Sequence, residues 1–82
     1  MPSITFKKSV AKDLRKLSKE IRKRIFSKFE EDLSDHPLDY PELKGKFAGL
    51  RKYRVGDYRV IYAVLNDQVL IIRIAHRKQA YD

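Results

Sequence analysis

The stretch LRKYRVGDYRVIY, residues 50–62, decides the reading of this chain. Gly56-Asp57 lies between two strand-like runs, and glycine at the first central position is what a type II′ two-residue hairpin requires. Such a turn sets a register: Val55 opposite Tyr58, Arg54 opposite Arg59, Tyr53 opposite Val60 and Lys52 opposite Ile61. Alternation then places Lys52, Arg54 and Arg59 on one face of the sheet. Like charges directly opposed across strands destabilise a hairpin by roughly the 0.2 to 1 kcal/mol that favourable pairs contribute. A sequence that carries this cost points to a site for a polyanion.

Eighty-two residues make a single small domain, 1–82, that buries roughly 60 to 65% of its unfolded surface, so its core is thin. The 19 Lys and Arg outnumber the 11 Asp and Glu, for a net charge of +8. Within 44–59, Lys44, Lys46, Arg51, Lys52, Arg54 and Arg59 face a single acid, Asp57. A patch of this kind suits nucleic acid or an acidic protein. With no cysteine there is no disulfide framework and no thiolate chemistry. No apolar run reaches the roughly 20 residues of a membrane span, and the polar start lacks the apolar region of a signal peptide. The expected location is therefore the cytoplasm, away from membranes.

Working outward from the hairpin, the chain reads as strand, two helices and three strands. Ile4 to Phe6 is a short strand. Ser9 is a candidate N-cap for a first helix with Val10, Leu14 and Leu17 on its apolar face, and Ser18 for a second with Ile21, Ile25, Phe26, Phe29 and Leu33. Asp35, Pro37, Pro41 and Gly45 mark an irregular link. Strands follow at Leu50 to Val55, Tyr58 to Leu65 and Val69 to Ala75. The fold class is α+β: a helical hairpin packed on one face of a small, mostly antiparallel four-stranded sheet. If Asn66, Asp67 and Gln68 form the last loop, Val60 meets Ile74, Tyr62 meets Ile72 and Val64 meets Leu70, giving one apolar face for the helices. The other face then gathers Arg59, Ile61, Ala63, Arg73 and Arg77 beside Lys52 and Arg54, an open basic groove. The cations on the outer helix faces read first as a solvated surface.

The groove narrows the chemistry. His36 and His76 are isolated and no carboxylates stand at ligand spacing, so neither a metal nor another cofactor is expected. RNA cleavage needs neither. The ribose 2′-OH is a built-in nucleophile, so a protein need only remove its proton, neutralise the charge developing on phosphorus and protonate the leaving 5′ oxygen. Arg and Lys supply the charge, while Lys, Tyr or His can move protons. Tyr81, four residues after Arg77, can reach the groove or stack on a base. A basic sheet face also suits plain RNA binding.

At these residues the sequence resembles the RelE family of bacterial toxins, within the RelE/ParE superfamily. The resemblance runs over nearly the whole chain: the helical hairpin, Leu43-Lys44-Gly45, the GDYRVIY strand and the terminal IAHRKQAY. It implies a RelE-like fold and a metal-independent endoribonuclease that cuts mRNA in the ribosomal A site. On the matching positions it implies catalytic roles for Lys52, Arg54, Arg59, Arg77 and Tyr81. Arg54 stands where the best-known member has a second Lys and stays protonated, so base duty falls to Lys52, Tyr81 or His76. His76 matches a proton-transferring residue of some relatives, although the register points it to the apolar face. Glu42 lies in a loop where certain relatives use a Glu. The partners implied are a cognate antitoxin, the ribosome with mRNA in its A site and, only through the antitoxin complex, operator DNA.

Lys44, Lys46, Arg51 and Arg73 suit distributed phosphate contacts rather than catalysis; Arg73 also has Asp57 and Glu42 as candidate partners. Arg59 and Arg77 have no evident acid in the inferred sheet. Three functions compete: a ribosome-dependent mRNA endonuclease, a ParE-like gyrase inhibitor without nuclease activity on the same fold, and a non-catalytic RNA-binding module.

Overall fold

The computed structural model describes residues 3–79. Strand β1 (Ser3–Phe6) is followed by helices α1 (Lys8–Arg15) and α2 (Lys19–Lys28), and then by β2 (Leu50–Val55), β3 (Tyr58–Leu65) and β4 (Gln68–His76). The sheet order is β1-β4-β3-β2, with β1 parallel to β4 and the remaining pairs antiparallel. Gly56 has φ +59° and Asp57 is not left-handed, the signature of a type II′ turn. The β2–β3 register matches the sequence reading at every pair from Lys52–Ile61 to Val55–Tyr58.

The β3–β4 hairpin departs from expectation. Its loop is the two-residue Asn66-Asp67, with Asn66 at φ +53°, so Leu65 meets Gln68, Val64 meets Val69 and Tyr62 meets Ile71. Asparagine tolerates this conformation because its short amide side chain bonds locally. A two-residue loop alone would turn the whole of β4 over. A bulge between Ile61 and Tyr62 leaves Ile72 as the extra residue, and parity is restored, so that Val60 still meets Ile74 and Ile61 meets Arg73. Val69, Ile71 and Ile74 are therefore the buried residues of β4 under the helices, while Leu70 and Ile72 are only half-buried.

Helix packing follows the apolar spacing. Val10, Leu17, Ile25, Phe29 and Leu33 are buried against Tyr53, Val55, Val60 and Tyr62. The second helix is capped by Ser18, whose hydroxyl accepts from Ile21 N at 3.2 Å. It ends in a π-helical turn, Phe29–Leu33, in which Ser34 N bonds Phe29 O. Phe26 lies at the rim, stacked edge-on against Phe6 at 5.8 Å. The first helix starts differently from expectation: Lys7 is its N-cap, with no side-chain bond, and Ser9 Oγ donates to Ile72 O instead. This serves the sheet. Beyond the end of β1, the outer edge of β4 is satisfied by α1, because buried Asp13 accepts Ile74 N–H at 2.9 Å and Arg73 Nε at 3.1 Å.

The π-helical turn and the link 34–49 are pinned by polar groups of β2 and β3. Tyr53 OH donates to Asp32 at 2.5 Å, Tyr62 OH to the Pro37 carbonyl at 2.7 Å, and Arg51 Nη1 to the Tyr40 carbonyl at 2.7 Å. Burial raises the pKa of both phenols, with the Asp32 contact adding to the effect at Tyr53; Tyr62 is pushed up to about 12. A pKa raised on folding contributes stability that is whole below the unfolded value near 10 and vanishes as pH rises through the folded one. Denaturant titrations should therefore show stability falling between pH 10 and about 12, with the fall shallower in Tyr62→Phe. Equal slopes in the two proteins would place the alkaline sensitivity elsewhere.

Candidate functional site

The sheet face turned away from the helices carries Lys52, Arg54 and Arg59, as alternation requires. Arg54 and Arg59 are direct cross-strand neighbours, and Lys52 sits one row along, opposite Ile61. Arg54 is exposed, whereas Lys52 and Arg59 are half-buried. Among the described residues no carboxylate pairs with any of the three. Arg59 Nε is buried with no hydrogen-bond partner among the described residues. An unsatisfied buried guanidinium nitrogen opposite a like charge is costly in a structural role and useful for meeting an anion. Arginine presents a planar fork of donors that matches phosphate oxygens and holds its proton at all working pH.

Arg77 arrives from the far end of β4. Its backbone N–H donates to Asp57 O at 2.7 Å, and its side chain lies 3.8 Å from Asp57 Oδ1, so the turn that sets the register also positions this cation. The expectation that no acid pairs with Arg77 is corrected. Both partners are more than half exposed, so the pair is weak and Arg77 can turn to a stronger anion.

Other expected members do not join the cluster. Arg51 points to the helix side, where it holds the Tyr40 carbonyl and approaches Glu42 at 3.8 Å. Glu42 also accepts Gly49 N–H at 3.4 Å, so its carboxylate shapes the link. Arg73 is paired with Asp13 rather than Asp57 or Glu42. Lys44 and Lys46 are exposed on the link, with Lys46 Nζ 5.4 Å from the Phe47 ring centre. His76 faces the helix side, edge-on to Tyr58 at 5.2 Å, and its Nδ1 accepts Lys78 N–H at 3.2 Å. Tyr81 lies outside the described residues.

The expected continuous basic groove is in fact divided. Ile61 and Ala63 are buried, since the link brings Leu43 and Phe47 over this half of the face. With Leu50, Ile61, Ile72 and Arg73 they line a shallow cavity of about 160 Å³. The cations thus occupy the turn end and an apolar recess the other. Sequence reasoning passed over Asp13, although a carboxylate among Val10, Leu14 and Leu17 on an apolar helix face signals a buried partner.

A model of the ParE toxin family of type II toxin-antitoxin systems matches residues 4–81. Toxin RelE3 of Methanocaldococcus jannaschii is 37% identical over 96% of this chain and 94% of its own. Among solved structures, the toxin–antitoxin complex RelBE2 of Mycobacterium tuberculosis superposes with a TM-score of 0.86 at 30% identity, covering 93% of this chain and 91% of that one. The RelB-RelE complex of Methanococcus jannaschii does so with a TM-score of 0.71 at 33% identity, covering 90% and 91%. These similarities define a toxin of the type II systems by class. The chain belongs to the RelE/ParE superfamily, with a RelE-like α+β fold.

If Arg59 is held for an anion rather than for the fold, neutralising it should not weaken the protein. Arg59→Met keeps the apolar stem and relieves the Arg54 repulsion, so urea unfolding should show stability unchanged or raised by up to roughly 1 kcal/mol. A loss beyond about 1 kcal/mol in that titration would make Arg59 a structural residue.

Proposed function

We propose that this chain is a ribosome-dependent mRNA endonuclease, the toxin of a pair whose acidic antitoxin covers the cation face. The observation that carries this reading is the set Lys52, Arg54 and Arg59, gathered on the helix-free face without acid partners among the described residues. In the proposed reaction a ribose 2′-OH loses its proton and attacks the adjacent phosphorus. The P–O5′ bond breaks, and the products are a 2′,3′-cyclic phosphate and a 5′-OH. Arg54 and Arg59 meet the negative charge that builds on the non-bridging oxygens, and Arg77 adds a third donor at the turn end. None of the three arginines can accept the proton, so Lys52 or Tyr81 moves it. His76 is the weaker candidate, because its ring is on the opposite face and its Nδ1 already accepts a backbone N–H. RelE names among the relatives support the nuclease reading, and both solved relatives named above are complexes with antitoxins.

The open geometry supports dependence on the ribosome. A flexible RNA on a shallow face samples in-line attack rarely, whereas a strand already held in the A site is presented in one conformation. The ParE name of the matching family supports the second reading given by the resemblance, a ParE-like inhibitor of gyrase without nuclease activity.

Induction in cells with mapping of RNA ends and DNA breaks separates the two. Cuts within codons are expected, with free single-stranded RNA left largely intact by the purified protein. Arg59→Ala and Arg77→Ala should each lower the single-turnover rate on ribosomes about a hundredfold, a loss of roughly 3 kcal/mol of transition-state stabilisation, while remaining folded. DNA breaks without mRNA cuts would give the chain to the gyrase reading. Rapid digestion of free RNA would overturn the dependence on the ribosome.

A further inference from the structure

The excess positive charge of this protein is not where the cation face is. Residues 7–28 contain ten of the 19 Lys and Arg and only two acids, Asp13 and Glu20, which accounts for the entire net charge of +8. The remaining nine cations are balanced by nine acids. One of the two acids is not available to offset its neighbours, since Asp13 is buried and paired with Arg73 of β4. On α1 and at its C-cap, the cations Lys8, Lys12, Arg15 and Lys16 are all exposed and lie opposite buried Val10. Lys19 and Lys23 continue the exposed charge onto α2. Among the described residues, the ion pair made by the hairpin's cations is Lys28–Glu31.

Helix dipoles favour Lys12 and Arg15 at the end of α1 and Lys28 at the end of α2, and the remaining cations gain no such return. Like charges one turn apart repel along a helix. The first turn of α1 has no acid, and cations there oppose the helix dipole. The acids that could have been interspersed on this surface lie elsewhere in the chain. A field of one sign, presented by a rigid pair of helices, is suited to a polyanion of high and regular charge density.

We propose that the outer face of the helical hairpin is a docking surface for the phosphate backbone of structured ribosomal RNA. The helices cover one face of the sheet, and Lys52, Arg54 and Arg59 lie on the other. The protein would therefore be gripped from behind by RNA that it does not cut, while the cation face meets the message. The inference rests on the ribosome reading for the identity of the RNA, and on the charge distribution alone for the surface.

The test replaces Lys12, Lys16, Lys19 and Lys23 together by Gln, which keeps helix propensity, and by Arg, which keeps charge. Binding of the full chain to purified ribosomes is measured across a range of potassium chloride concentrations, with folding checked by circular dichroism. For the Gln variant, the slope of log K against log salt should become shallower by about 3, with affinity at moderate salt reduced tenfold or more, while the Arg variant keeps the parent slope. A Gln variant with parent slope and affinity overturns the proposal; loss of antitoxin binding alone would then give this face to the protein partner. If the parent protein ignores ribosomes, the functional reading has failed. A plain RNA duplex then decides the surface: the same change in slope supports it, and no change overturns it.

Discussion

The left-handed backbone at Gly56 fixes which side chains of this sheet share a face, and both the core and the cation cluster depend on that choice. With exactly two residues between β2 and β3, Tyr53, Val55, Val60 and Tyr62 fall under the helices while Lys52, Arg54 and Arg59 fall opposite. A shift by one residue would bury the charges and expose the core, an exchange no small domain survives. A side chain at position 56 would have to adopt the same φ, at a cost of roughly 1 to 2 kcal/mol, next to the Arg24 guanidinium 3.6 Å away. The bulge at Ile72 is a second parity operation. It lets a two-residue loop at Asn66 coexist with buried Val69, Ile71 and Ile74.

This explains what could be read from the sequence. Where a turn of defined chemistry adjoins alternating strands, the register and the facing of each side chain follow, and Lys52, Arg54 and Arg59 were legible for that reason. The β3–β4 loop was not, because matching apolar faces assumes unbroken alternation and has no means of seeing one extra residue in the middle of a strand. Arg51, Arg73 and Arg77 failed differently. Their acceptors, the Tyr40 carbonyl, Asp13 and Asp57, come from the link, a helix and a turn, and no periodicity within a strand reports what a neighbouring element brings. The exchange of caps at the start of α1 has the same origin: Ser9 is drawn away by the carbonyl of Ile72 in β4.

Charge and stability are in tension throughout. The net charge rests on the helical hairpin, and the opposed arginines add repulsion to the sheet. The counterweight is a contiguous core in which Tyr62, Phe29, Ile25 and Leu33 are fully buried or nearly so. Two phenols extend that core by hydrogen-bonding outward, Tyr53 to Asp32 in the π-helical turn and Tyr62 to the Pro37 carbonyl in the link. The exposed cations are thus tolerated at the surface because the core is apolar and the two phenols at its edge are hydrogen-bonded.

One carboxylate joins the two basic surfaces. Asp13 projects from α1 and takes both the Ile74 N–H and the Arg73 guanidinium, so the helix that carries the exposed lysines is hydrogen-bonded directly to β4. Three residues beyond Ile74, Arg77 leaves the same strand and is tied by its backbone to Asp57 in the β2–β3 turn, beside Arg54 and Arg59. Hydrogen bonds through the Asp13 carboxylate and the Arg77 backbone therefore run from the helical hairpin by way of β4 to the cation face. Catalysis by positioning requires stiffness, because a donor that drifts by an ångström loses much of its effect on a transition state. An anion held by the helices would fix the orientation of the opposite face as well, and with it the angle at which Arg59 meets a phosphate.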